Sequence, residues 1–272
     1  MAVKLILSDI DSTILPHGQR QVSERTRSAF HVAAAAGIHV GPASGRGYAW
    51  IPGFFGGDEA CCATALATNG MQVYLDGEKV LEKTLDAESL ERVRAIAAET
   101  PHAGLLTFRE DGTPLLVQGT RDDLRRTFSS YAETCVETPG LPDFPVVKAN
   151  VFDGAGPEEH AALVARLNAE VPAFDVDLAM PTYSNINPHG WNKGAAVTWL
   201  RERLGLACDE VVVFGDGDND LPMFSVVEHS VAVSNATPEA AAAARWHIGA
   251  CEDDAVAVAI EALAAGEWPF TA

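Results

Sequence analysis

Val3-Lys4-Leu5-Ile6-Leu7-Ser8 runs straight into Asp9-Ile10-Asp11-Ser12-Thr13. A short apolar run that ends abruptly in carboxylates reads as a buried strand delivering acidic groups at its C-terminal end. Working outward, Ser23 is placed to cap a helix whose apolar face carries Val22, Thr26, Phe30 and Ala33 or Ala34, with Gly37 as its stop. Residues 38–43 read as a second strand ending in Ser44-Gly45-Arg46, and residues 63–68 as a third running into Asn69-Gly70. Strand, helix, strand in this order predicts a right-handed parallel unit, which collects ligands outside the carboxyl ends of its strands. Asp9 and Ser44 both stand at such ends.

The texture changes near residue 79. A helix is expected over 86–99, then two extended runs joined by Glu110-Asp111-Gly112-Thr113, whose Asp-Gly pair signals an antiparallel hairpin. A helix over 120–134, a Pro-rich stretch (Pro139, Pro142, Pro145), an apolar run at 146–152, a helix from Pro157 and two short extended runs ending at Asn187 follow. After Pro188 the first texture returns, with a helix over 193–204 and the strand Val211-Val212-Val213-Phe214 leading into Gly215-Asp216. The expected fold is therefore α/β: a Rossmann-like, doubly wound parallel core over 1–78 and 189–272, interrupted by an α+β cap over 79–188.

Composition narrows the function. A chain of 272 residues that is 47% hydrophobic and 21% charged can bury a core and a second module. Its 38 acidic against 19 basic residues repel phosphate backbones, which argues against nucleic acid as a partner. No stretch approaches the roughly 18 apolar residues of a membrane span, and too few apolar residues precede Asp9 for a signal peptide, so a cytoplasmic protein with no membrane partner is expected. The five cysteines include an adjacent Cys61-Cys62 pair and no C-x-x-C, a pattern that encodes neither a zinc motif nor a redox motif. They are expected to be buried or incidental free thiols.

Asp9 and Asp11 are two apart, a spacing that sends side chains leaving a strand to the same side. For phosphoryl transfer, one carboxylate can attack phosphorus while the other protonates the leaving oxygen and later activates water. Two carboxylates alone would repel a phosphate dianion, so the pair calls for a hard cation, and Mg²⁺ suits aspartates combined with substrate phosphate. Asp216, within Gly215-Asp216-Gly217-Asp218-Asn219-Asp220, is the natural third carboxylate. Lys193 can place a point charge on phosphate oxygens, and Ser44 with the Gly45 N–H offers neutral donors to the same anion. Hydrolysis of a phosphate monoester can need about 10²¹-fold acceleration, whereas one acid/base group supplies about 10² to 10⁴. The whole set is needed.

Taken in order, Asp9-Ile10-Asp11-Ser12-Thr13, Ser44-Gly45-Arg46, Asn192-Lys193-Gly194 and Gly215 to Asp220 resemble the four motifs of haloacid dehalogenase-like phosphatases. The long insertion between the second and third resembles the Cof-type branch with a class IIB cap. The resemblance implies a Mg²⁺-dependent phosphatase of small phosphate monoesters, sugar phosphates first. It makes Asp9 the nucleophile and a metal ligand, Asp11 the acid/base and a ligand through its backbone carbonyl, and Asp216 a side-chain ligand. Asp220 would orient metal-bound water or Lys193, and Ser44, Gly45, Lys193 and Asn219 would hold the phosphoryl group. Ser12 stands where Gly is common, and Ser44 where Thr is common.

Rival readings make different use of the same residues. A nucleotide-sugar transferase's Asp-x-Asp metal site would leave Lys193 and the 215–220 cluster idle. A calcium loop starting at Asp216 needs glycine at its sixth position and glutamate at its twelfth, where Leu221 and Val227 stand. Arg46 either lines the entrance or pairs with an acidic neighbour. A sugar phosphomutase or an idle phosphometabolite sensor would share the site, and the chain is expected to act as a monomer or homodimer.

Overall fold

The computed structural model describes residues 2–178 and 180–271. They form two compact units, one from Met1–Glu82 with Asn192–Ala272 and the other from Lys83–Trp191.

The first unit is built on five parallel strands: β1 (Leu5–Ser8), β2 (His39–Pro42), β3 (Val211–Gly215), β4 (His229–Ala232) and β5 (Trp246–His247), in the order β5-β4-β3-β1-β2. All four pairings are parallel. Strands covered on both faces need continuous rather than alternating apolar sequence. Accordingly Leu5, Ile6 and Leu7 in β1 and Val211 to Phe214 in β3 are wholly buried. Ser8 sits opposite Phe214 on one side and Pro42 on the other. That register brings Asp9, Ala43 and Gly215 level at the carboxyl edge.

Helix α1 (Glu24–Ala35) begins at Ser23, whose side chain accepts the Thr26 N–H, and it buries Thr26, Ala29, Phe30 and Ala33. Ala34 is exposed, so Ala33 carries the apolar face. Phe30 joins Ile6, Ile10, Phe55, Phe214 and Ile260 in one core. Burying each such side chain stabilises by roughly 1.5–3 kcal/mol. Helix α2 (Lys193–Leu204) is capped by Asn192 and closed by Gly205 at φ 68°.

The third predicted strand does not join the parallel sheet as a full member. Ala65–Ala67 pairs antiparallel with Gln72–Leu75, which pairs with Glu78–Glu82, and a single bridge from Leu66 to Ala43 ties it to the parallel layer. The cause is local: Thr68, Asn69 and Gly70 all have positive φ, so the chain reverses before a longer strand can form.

The second unit carries a six-stranded sheet ordered Phe174–Val176, Tyr183–Pro188, Ala149–Asp153, Ala103–Phe108, Pro114–Gln118 and Val136–Glu137. Its pairings are antiparallel except the last. Helices Ala87–Glu99 and Pro157–Glu170 pack against this sheet. Asp86 caps the first of them by accepting the Ser89 N–H. Gly112 closes the expected hairpin at φ 86°. The helix expected over 120–134 is two, Arg121–Thr127 and Ser129–Thr134, because Phe128 leaves helical backbone at φ −147° and ψ 86°. Its ring stacks on Tyr131 with centroids 4.3 Å apart and lies 5.2 Å from Tyr183. Among the described residues, no helix of either unit is long and apolar enough to cross a membrane.

Candidate active site

Four residues at the carboxyl edge of the parallel sheet form a chain of charged contacts. Asp9 follows β1, Asp216 follows β3, Asp220 ends the turn after it, and Lys193 opens α2. The Lys193 Nζ donates to Asp9 Oδ1 at 2.5 Å and to Asp220 Oδ1 at 2.7 Å. Asp220 Oδ2 accepts the backbone N–H groups of Asp216 at 2.9 Å and Gly217 at 3.1 Å. Both oxygens of Asp220 are thus engaged, and the residue locks the lysine to the turn.

Two glycines make this possible by leaving room. A Cβ on Gly215 would lie 2.5 Å from the Asp220 carboxyl, and one on Gly194 would lie 2.2 Å from the Pro222 carbonyl oxygen. Neither approach is tolerated by any other residue.

The remaining predicted residues divide. Ser44 is buried, and its hydroxyl accepts the Arg46 N–H at 3.2 Å. Beside it, Gly45 lies against Asn69, whose buried Oδ1 meets no hydrogen-bond donor among the described residues. The Asp11 carboxylate is gripped by Arg46, with Nε and one terminal nitrogen each donating at 2.8 Å. Arg46 in turn sits over the Phe54 ring at 4.9 Å. Asn219 is exposed and forms no side-chain hydrogen bond among the described residues. Thr13 was not foreseen. Its hydroxyl donates to Asp216 Oδ1 at 2.6 Å, and the only sequence signal was its place at the end of the Asp9 to Thr13 run.

Electrostatics describe a cluster short of positive charge. Burial, then repulsion from Asp220 and Asp216, pushes Asp9 up to about 8 although Lys193 pulls the other way. Burial and Asp220 push Asp216 up to about 6 against the Thr13 hydrogen bond. Burial opposes the charge on Lys193, but Asp220 and Asp9 outweigh it and hold the ammonium. Two buried carboxylates share one lysine, a third is half-buried beside them, and one carboxylate oxygen from each of Asp9, Asp216 and Asp220 falls within 4.8 Å of the others. An all-oxygen donor set of this kind fits a hard divalent cation.

The sequence profile of the family described as haloacid dehalogenase-like hydrolase matches residues 6–260. The chain belongs to that family. Relatives of this hydrolase include the 5-amino-6-(5-phospho-D-ribitylamino)uracil phosphatase YbjI of Escherichia coli, 26% identical over 99% of both chains. The HMP-PP phosphatase of Serratia proteamaculans is 34% identical over 70% of each chain. The solved structure of BT4131, described as a HAD subclass IIB sugar phosphatase, superposes with a TM-score of 0.78 at 20% identity, covering 95% of the hydrolase and 98% of BT4131. At that identity the likeness speaks for the fold: a parallel α/β core of the Rossmann-like kind with a cap.

Proposed function

We propose that this hydrolase is a cytoplasmic, magnesium-dependent phosphatase that cleaves small phosphate monoesters through an aspartyl-phosphate on Asp9. The observation that carries the reading is the Asp9–Lys193–Asp220 chain at the ends of β1, α2 and β3. A buried lysine fixed by one aspartate and touching another is a poor stabilising device, because desolvating the charges offsets much of their attraction. As a site that presents a nucleophile beside a phosphate-binding cation, it makes chemical sense.

The steps follow from the residues. Lys193 engages Oδ1 of Asp9, so attack on phosphorus falls to Oδ2. As the new O–P bond forms, the ester P–O bond breaks and Asp11 gives a proton to the departing alcohol. Asp11 then takes a proton from water, which attacks the aspartyl-phosphate and releases inorganic phosphate. Lys193, Ser44, the Gly45 N–H and Asn219 hold the phosphoryl oxygens. Asp9, Asp11 and Asp216 would hold magnesium, whose charge would let a carboxylate approach a phosphate dianion. Asp220 acts behind them by holding Lys193 and the 216–217 turn. The Arg46 grip must open for Asp11 to serve as acid, which gives Arg46 a positioning role.

Substrates are read as sugar phosphates or related phosphorylated metabolites, with the Lys83–Trp191 unit as the cap that selects them. Two relatives are named for phosphatases of small phosphorylated compounds, which supports this class. The test is phosphate release from a panel of sugar phosphates, nucleotides and cofactor phosphates, with Mg²⁺ and with a chelator, for the wild type and Asp9→Asn. Metal-dependent release abolished in the variant supports the reading. Isomer formation without phosphate release would turn it towards a mutase, and binding without any turnover would sink the enzymatic role.

A further inference from the structure

Outside the strand-end cluster, the first unit brings together three side chains that the sequence keeps apart. His31 on α1 meets Asp58 and Cys61 from the turn that precedes Ala65–Ala67. The His31 Nε2 lies 2.6 Å from Asp58 Oδ2 and 3.9 Å from Cys61 Sγ. One ligand atom from each of the three lies within 4.8 Å of the others.

Two chemistries use a cysteine, a histidine and an aspartate, and geometry separates them. A nucleophilic relay needs the thiol on one ring nitrogen and the carboxylate on the other. Here both converge on Nε2, so no relay exists. Convergence on one point is instead what chelation of a single ion requires. Zinc-class ligand distances of about 2.0–2.3 Å set tetrahedral ligand pairs roughly 3.3–3.8 Å apart. The 2.6 Å pair must open and the 3.9 Å pair close slightly, small movements for a histidine side chain that is 50% exposed.

We propose that His31, Asp58 and Cys61 form a second metal site, selective for a zinc-class ion over magnesium, with a fourth position open to water. Nitrogen and sulfur ligands favour such an ion, whereas the all-oxygen cluster around Asp9 favours Mg²⁺. On binding, the Cys61 sulfur releases its proton to solvent, His31 offers the Nε2 lone pair and keeps its proton on Nδ1, and no electron changes hands. The sulfur approaches from the interior, since Cys61 is 1% exposed, while His31 closes the site from outside. Such an ion would pin α1 to the 58–61 turn. The absence of any zinc spacing in the sequence follows from the ligands' origin, one on a helix and two on a turn 27 and 30 residues later.

The experiment titrates the full chain with Co²⁺, in excess Mg²⁺ to fill the oxygen cluster. A thiolate-to-cobalt charge-transfer band that saturates at one equivalent and is displaced by Zn²⁺ is the expected result. Cys61→Ser should abolish the band. His31→Gln, at a half-exposed position that leaves the core intact, should weaken cobalt binding by at least about tenfold. Zn²⁺ should raise the melting temperature of the wild type and not that of either variant. The exposed Cys208 is the control, and Cys208→Ser should keep the band. No saturable band, or one that survives His31→Gln and Cys61→Ser but disappears in Cys208→Ser or Asp9→Asn, overturns the proposal.

Discussion

Both units bury charged and neutral polar groups, but arrange them differently. The parallel unit buries charge: Asp9, Lys193 and Asp220 lie at strand and helix ends, with Asp220 wholly inside. The Lys83–Trp191 unit also buries Asp123, Lys148 and Asp153, but its sheet carries a neutral network as well. Asn150 donates to the Ser184 carbonyl at 3.0 Å and to Asn185 at 2.9 Å, and His160 meets the Ser184 hydroxyl at 2.7 Å. A neutral network costs little to bury once it is hydrogen-bonded, and it specifies strand register. Buried charge costs several kcal/mol per ion and repays only part of that through pairing. Carboxylates gathered on one buried lysine therefore point to chemistry, and a neutral hydrogen-bonded network points to architecture.

Four outcomes would sharpen or break that contrast. The largest concerns Asp9→Asn, expected to lower turnover on the order of 10⁴-fold or more, with a melting temperature equal to or above that of the wild type. A melting temperature that fell sharply would make Asp9 architectural. Next, Lys193→Met leaves two buried carboxylates without their cation and should destabilise by about 3–5 kcal/mol in urea unfolding. Adding Asp220→Asn to it should recover part of that loss. If Lys193→Met instead matched the wild type in stability, the cluster would not be the dry, coupled site described above.

The third outcome tests the neutral network. Burial holds His160 near 4, against 6.5 for an ordinary histidine. Below 6.5 the unfolded chain takes up a proton that the folded chain refuses. Stability is thus complete above 6.5 and falls progressively as pH drops towards 4, by up to about 3 kcal/mol. Denaturant unfolding at stepped pH, compared with His160→Gln, isolates this histidine. Identical slopes would mean that it is not sealed from water. The smallest effect belongs to Ser12, which sits at φ 60°. Relieving that strain gains about 1–2 kcal/mol, and glycine's extra chain entropy costs about 0.5–1. A net stabilisation of roughly 0.5–1 kcal/mol is expected for Ser12→Gly by calorimetry.

Much of this was legible in the sequence where one rule operates alone. The β1 run, the Ser23 cap and the 193–204 helix follow from apolar continuity and side-chain acceptors, and the structure keeps all of them. The break at Phe128 was not legible, because a 3.6-residue pattern runs through it and only the Tyr131 and Tyr183 rings draw it out. The antiparallel pairing of Ala65–Ala67 was not legible, because a short apolar run says nothing about its partner. At the site, the gathering of Asp9, Lys193 and the 216–220 turn could be anticipated from motifs at strand ends. Pairing of Arg46 with an acidic neighbour was one of two sequence readings, but its choice of Asp11, the Thr13 hydroxyl and the His31 cluster could not be anticipated, since each depends on side chains meeting across the fold.

The order of the parallel sheet also bears on how the molecule is made. β1 lies between β2, which follows it closely in the chain, and β3, which arrives only at Val211. At 5–20 residues per second a ribosome needs roughly 10–40 s to deliver that partner. Throughout this interval one edge of this apolar strand stays open. The contiguous segment from Lys83 to Trp191 can complete its own sheet in the meantime. Asp9 therefore emerges well before its lysine, which follows 184 residues later, so the proposed site can close only after the Lys83–Trp191 segment has been made.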